Sequence, residues 1–263
     1  MKSLLLTLLF APVAAFTQVD EFNYTSQAGF ETFYLNPASD SREPFELNVA
    51  EGYLETVQSG GNPQFSAASL QPVGPLSSVS GPLTFSIDFL TAGTVGFSGL
   101  GNVAKIGFAD SAGPGTFGET GWEVSLRYSA GDFGASTPVG LRLRPNGNSS
   151  GQLFSNGVSE DTFDPNLWYT LEMTILYDSE DLFNITSRVY PQGSPGNTLI
   201  SFSGQQTNAD LSPDEVLYPA FGARTGATGG IAAVDNLVPV PEPGAFGLLL
   251  GAGVCVAALR HRR

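Results

Sequence analysis

Apolar residues recur at every second position through the middle of the chain. Leu83, Phe85, Ile87 and Phe89 alternate with Thr84, Ser86 and Asp88. Trp122, Val124 and Leu126 alternate with Glu123, Ser125 and Arg127, and Val139, Leu141 and Leu143 with Gly140, Arg142 and Arg144. The same rhythm runs through Leu171, Met173 and Ile175, and through Phe183, Ile185, Ser187 and Val189. A period of two assigns one set to the core face of a sheet and the other to its solvent face. No helical period of useful length interrupts the pattern between residues 16 and 238, and the runs are split by Gly, Pro, Asn and Asp. Many short strands with turn signals between them predict an all-β sandwich.

Two hairpins are expected. Trp168–Tyr177 and Phe183–Tyr190 flank the acidic turn Asp178-Ser179-Glu180-Asp181, and Trp122–Tyr128 and Val139–Arg144 flank the small-residue loop Ser129–Pro138. Period-two phase places Trp122 in the core. Trp168 falls in phase with Thr170 while Tyr169 falls in phase with Leu171, so the face of Trp168 stays open. Neither an internal repeat nor a composition break divides the body, which reads as one domain.

Rare residues limit the chemistry. The single histidine is His261 and the single cysteine is Cys255, both at the C-terminal end. The body therefore lacks a Ser-His-Asp triad, a Cys-His nucleophile, a His- or Cys-based zinc site and a disulfide. With 25 acidic against 11 basic residues the net charge is −14. That sign excludes a nucleic-acid partner and favours hard cations such as calcium. Glu242 is the only acidic residue outside residues 16–238, whereas Lys2, Arg260, Arg262 and Arg263 flank the body.

The flanks read as addresses. Lys2 precedes an apolar run and then Ala-Pro-Val-Ala-Ala, so Val13 and Ala15 fit a signal-peptidase site with cleavage after Ala15. At the other end, uncharged Gly244–Leu259 is followed by Arg260, His261, Arg262 and Arg263. This is the pattern of a short membrane-spanning helix with a basic cytoplasmic stop. Pro241 and Pro243 keep the preceding linker extended and present Glu242 on it.

Pro241-Glu242-Pro243, a glycine-rich apolar helix and an arginine-rich end together resemble a PEP-CTERM sorting signal. The resemblance covers roughly the last 25 residues. It implies recognition by an exosortase-type enzyme, removal of the tail, and delivery to the cell surface or an exopolysaccharide matrix. The expected organisation is a signal peptide over 1–15, a sandwich domain over 16–238 and a sorting tail over 239–263, exported and transiently membrane-anchored. The three N-x-S/T sites, at Asn23, Asn148 and Asn184, are then read as chance.

The body is similar to concanavalin A-like, or laminin-G-like, jelly rolls. Asp20-Glu21-Phe22 looks like a first strand, Trp168–Met173 like the start of the central hairpin, and Ile231–Leu237 like the closing strand. A galactose-binding-like sandwich is the nearest rival. The resemblance implies that first and last strands pair, bringing Asp20 or Glu21 near Asp235 as a structural calcium site. The Asp178–Asp181 turn lacks the glycine and the terminal Glu of an EF-hand loop. The resemblance also implies glycan binding, with Trp168 as the candidate stacking residue. Laminarinase-type glycosidases of this fold use an E-x-D-x-x-E strand, which this chain lacks; a carboxylate glycosidase stays as an alternative. The reading is a non-catalytic, surface-sorted β-sandwich with no catalytic residue assigned, and with signal peptidase, an exosortase-type enzyme and polysaccharide as partners.

Overall fold

The computed structural model describes residues 18–37, 43–56, 64–73, 82–90, 101–109, 122–145, 152–179, 182–207, 217–224 and 232–240. The signal segment with Val13 and Ala15, the Pro241-Glu242-Pro243 motif, and the apolar tail with Arg260, Arg262 and Arg263 lie outside the described residues.

The strands follow the alternation. They are β1 (Gln18–Asp20), β2 (Tyr34–Leu35), β3 (Phe45–Asn48), β4 (Tyr53–Thr56), β5 (Gln64–Ser69), β6 (Leu83–Leu90), β7 (Asn102–Ala109) and β8 (Trp122–Tyr128). They continue as β9 (Val139–Pro145), β10 (Leu153–Phe154), β11 (Trp168–Ser179), β12 (Leu182–Pro191), β13 (Ile200–Thr207), β14 (Tyr218–Arg224) and β15 (Ala233–Val240). Both expected hairpins form. The first is tighter than its sequence suggests, because β11 runs on to Ser179 and pairs it with Leu182. In the second, the Ser129–Pro138 connection contains a helical turn, α2 (Ala130–Phe133), the next after α1 (Gln27–Phe30), where a plain loop was expected. Ser129 caps that turn by accepting the Asp132 amide on Oγ, which offsets its short length.

The strands form two antiparallel sheets. One has the order β13-β12-β11-β6-β15-β4-β3, and the other β10-β9-β8-β7-β14-β5-β2. The first and last strands pair as expected: β15 meets β4 through Ala233 and Val234, then meets β1 through Leu237 and Val240. With β1 the first sheet has eight strands.

Apolar positions of both sheets meet between them. Phe85 of β6 lies 5.3 Å from Phe108 of β7, and Trp122 of β8 lies edge-on, 5.8 Å from Phe183 of β12. Trp122 is fully buried, as its phase predicts. At one end Phe22 packs on Phe30, Tyr34 and Phe221 at centroid distances of 6.0, 5.7 and 5.5 Å. Burying each such ring contributes roughly 1.5–3 kcal/mol. Phe22 has φ 49, a left-handed conformation that disfavours a bulky residue. Asp20 holds it there by accepting the Phe22 amide on Oδ1 at 2.8 Å.

Candidate functional site

The polar positions of the alternation behave differently on the two sheets. On the seven-stranded sheet, register lines up Ser66 of β5, Gly222 of β14, Lys105 of β7, Ser125 of β8 and Arg142 of β9 as direct neighbours. The next row sets Gly107, Glu123 and Arg144 side by side. These positions lie opposite the core, so period two expects them in solvent. The structure corrects this: Ser66 and Ser125 are fully buried, and Lys105, Glu123 and Arg142 are 2%, 3% and 8% exposed.

Small residues make the room. A Cβ on Gly222 would lie 2.7 Å from Cε of Lys105 and 2.6 Å from the Phe65 carbonyl, so the lysine stem can lie across the sheet only over glycine. Gly107 approaches the Trp122 carbonyl so closely that any side chain would collide with it.

One carboxylate faces several cations here. Lys105 Nζ donates to Glu123 Oε2 at 3.5 Å, and Arg142 Nη2 lies 3.6 Å from Glu123 Oε1. Both are longer than the 2.7–2.9 Å usual for a charge-assisted hydrogen bond. Burial pushes the Glu123 carboxyl up, but Lys105, Arg144 and Arg142 outweigh it and hold the group below the ordinary carboxylate range. Burial brings the Arg142 guanidinium down to about 10; Glu123 opposes this, while Arg127 and Arg144 add to it by repulsion. Arg142 Nη2 and Arg127 Nη1 both donate to Asn102 Oδ1, at 3.1 and 3.2 Å. Arg127 Nε donates to Asp132 Oδ2 at 2.8 Å, so the capped turn α2 supplies the second acid of the cluster.

The cluster is not self-sufficient. Ser66 Oγ, Ser125 Oγ, Glu123 Oε1 and Arg142 Nε are buried without a hydrogen bond. Among the described residues no such atom lies on the eight-stranded sheet. Each orphaned group costs about 1–3 kcal/mol, more where it is charged. Groups of this kind that persist in a native fold call for a functional or solvent partner.

The outer face of the eight-stranded sheet is internally satisfied. Asp88, 7% exposed, accepts Thr170 Oγ1, Gln192 Nε2 at 2.7 Å and Asn236 Nδ2 at 2.8 Å. Glu172 receives Arg188 through Nε and Nη2 at 2.7 and 3.2 Å, and the Tyr190 hydroxyl at 2.9 Å. Trp168 lies on this face, half-buried, with its ring 5.7 Å from Tyr53; Tyr169 takes the core side.

The expected calcium residues gather at one end of this sheet without forming a cage. Asp235 stands directly opposite Asp88. Burial raises its carboxyl to about 6 against the hydrogen bond from the Asn236 amide, and Asp88, Glu21 and Asp20 push it further up. Asp20, however, spends its oxygens inward: Oδ1 on the Phe22 amide, Oδ2 on the hydroxyls of Tyr24 at 2.6 Å and Tyr34 at 2.7 Å. A cation would have to displace three donors from Asp20. Among the described residues no three His, Cys, Asp or Glu side chains are grouped to hold a metal.

The seven-stranded face was missed as a site because its charges were read as a solvated side. The available signal was composition. In a chain with only 11 basic residues, Lys105, Arg127, Arg142 and Arg144 fall in neighbouring strands.

The fold is an all-β antiparallel sandwich, similar in architecture to solved lectins. The chain is similar to lectin I from Ulex europaeus, solved with the methyl glycoside of α-L-fucose, at 12% identity and TM-score 0.52, over 82% of this chain and 94% of the lectin. It is also similar to arcelin-5, a lectin-like defence protein from Phaseolus vulgaris, at 11% identity and TM-score 0.51, over 78% of this chain and 96% of arcelin-5. No protein-family model matches the chain, and no curated protein matches it in sequence.

Proposed function

We propose that this chain is a non-catalytic carbohydrate-binding sandwich, exported and sorted to the cell surface or extracellular matrix, which grips saccharide at the outer face of its seven-stranded sheet. The carrying observation is the row Ser66, Lys105, Ser125 and Arg142, whose hydroxyls and one guanidinium nitrogen are left without partners in the fold. Hydroxyls, amide oxygen and fixed charge are the groups that recognise a sugar's hydroxyls. The lectin-like architecture is consistent with this use, although fold alone does not assign function.

Glycoside hydrolysis is the poorer reading. It needs one carboxyl kept protonated beside a second carboxylate. Glu123 is held ionised by its cations, and it is the only carboxylate that the strands place on this face among the described residues. Delivery is read from the flanks: signal peptidase after Ala15, arrest of the apolar tail in the membrane, and exosortase-type processing at Pro241-Glu242-Pro243.

The test uses the full chain expressed in an exosortase-bearing host. Retention on a panel of immobilised polysaccharides with no release of reducing sugar is expected, and retention on none of them overturns the binding reading. Intact-mass measurement of the mature protein tests delivery, which fails if both ends are uncut.

A further inference from the structure

We propose that the chain pairs with a second copy of itself through β13, an edge of the eight-stranded sheet, to form a two-fold dimer with one continuous antiparallel sheet. The inference is independent of the carbohydrate reading.

A sheet ends in strands whose outward N–H and C=O groups have no ladder partner, and native folds blunt such edges. At the β3 end the blunting is done by side chains. The Phe45 amide donates to Asn36 Oδ1 at 2.7 Å, and the Phe45 carbonyl accepts Asn36 Nδ2 at 2.8 Å and Gln27 Nε2 at 3.0 Å. The Leu47 amide donates to Gln27 Oε1 at 2.8 Å. The amides of Asn36 and of Gln27, the first residue of α1, thus stand where a further strand would pair. β1 ends after three residues, and β2 and β10, the outer strands of the other sheet, end after two each.

β13 has none of these devices. It runs for eight residues, Ile200–Thr207, in unbroken register with Leu182–Val189 of β12. It contains no proline and no charged residue. Among the described residues no strand pairs with its outer side. Alternate residues of an antiparallel edge turn both backbone groups outward, so about four N–H and about four C=O groups are on offer.

Charge and symmetry choose the occupant. Each copy carries a net charge of −14, so two copies approach most easily where charge is absent. Ser201, Ser203 and Gln205, exposed on the outer face of β13, are neutral. On β12 the only charged residue in register with β13 is Arg188, opposite Ser201, and Glu172 neutralises it at 2.7 Å. A two-fold axis normal to the sheet sets β13 antiparallel to its copy and completes both ladders with the same residues. The axis falls at the middle of the strand, by Ser203 and Gly204. There the second sheet comes close: a Cβ on Gly204 would lie 2.9 Å from Leu153 Cδ1 of β10. The next residue, Phe154, is 42% exposed and supplies an apolar anchor near the axis.

Area sets the strength. Eight residues make a strip about 27 Å long and, across two layers, about 15–20 Å wide, so the two copies together cover about 800–1,100 Å². Stable interfaces need about 1,200–2,000 Å², which makes this a dynamic dimer with a Kd of about 1–100 µM.

Sedimentation equilibrium of the full chain from about 1 to about 300 µM tests this. A monomer–dimer equilibrium is expected, tightening at least about threefold between about 0.05 and about 0.5 M salt, because salt screens repulsion between acidic copies and no ion pair crosses the contact. Ser203→Lys and Ser203→Glu each set like charges face to face at the axis. Each should weaken dimerisation about tenfold or more and leave the monomer's Tm within about 1 °C, Ser203 being exposed. Mixing the two variants should restore association, since lysine then faces glutamate. A chain still monomeric at about 300 µM in high salt overturns the inference. An association that neither substitution weakens also overturns it, because that contact lies elsewhere on the chain, its apolar tail included. Weakening by both without recovery in the mixture overturns the two-fold pairing of β13 with itself.

Discussion

Replacing Asp235 by Asn should stabilise the protein, and only above acidic pH. Asp235 is half-buried and stands opposite Asp88, whose oxygens are already occupied by Thr170, Gln192 and Asn236. Its carboxyl rises from 3.8 to about 6, chiefly through burial and then through Asp88, Glu21 and Asp20. A folded-state pKa above the unfolded value means that the fold prefers the protonated group. Below about pH 4 both states are protonated and the site carries no penalty. Between about pH 4 and pH 6 the unfolded chain ionises first, and stability falls as pH rises. A shift of about two units is worth at most about 3 kcal/mol, and solvent screening at a half-exposed group reduces this to about 1–1.5 kcal/mol. Asn keeps an oxygen to accept the Asn236 amide, now donated to Asp235 Oδ1 at 2.8 Å, so the substitution removes charge with little else. Urea unfolding of wild type and Asp235→Asn across pH 3.5–8 should give curves that coincide near pH 3.5 and separate by about 1–1.5 kcal/mol in favour of Asn at pH 7. A separation independent of pH, or a variant less stable at pH 7, would refute like-charge strain between β6 and β15.

Glu123→Gln should destabilise by about 3–5 kcal/mol in thermal or urea unfolding, because Lys105 and Arg142 then lose a buried counter-charge. Since the Glu123 carboxyl is held low, its contribution is full at neutral pH and disappears only as pH falls below about 4 through that depressed value; wild type and Glu123→Gln should converge there. Trp168→Ala should cost less than about 1.5 kcal/mol, from loss of the Tyr53 contact, and leave retention on polysaccharide unchanged; lost retention would move the grip to the eight-stranded sheet. Calcium at millimolar concentration should shift Tm by less than about 1 °C, because Asp20 is engaged by Tyr24 and Tyr34; a rise of several degrees would show a cage that forms by displacing them.

Much of the fold was legible because period two is a strong signal when both sheets pack on one core. The rows from Phe85, Val124, Leu141, Met173 and Ile185 all point inward as read. Pairing of the first and last strands came from resemblance, and it is present between Asp20 and Leu237. The inward use of Asp20 was not legible, because its partners, Tyr24 and Tyr34, become neighbours only once Phe22 adopts its left-handed turn and the aromatic end of the core closes.

The site was misread for a general reason. Alternation tells which side of a strand a residue takes, and nothing about what lies over that side. Thr174 and Thr186 on the eight-stranded sheet and Ser125 on the seven-stranded sheet occupy equivalent phases, yet Thr186 is exposed and Ser125 has no exposure at all. Composition at those phases separates them. A solvated sheet face in an acidic protein is expected to carry acids and hydroxyls, as Glu46, Glu55 and Thr84 do. Lysine and arginine set across glycine and serine on neighbouring strands are costly to cover unless something neutralises them. The concentration of scarce positive charge, more than the periodicity that carries it, is therefore the feature of this sequence that points to the proposed binding face.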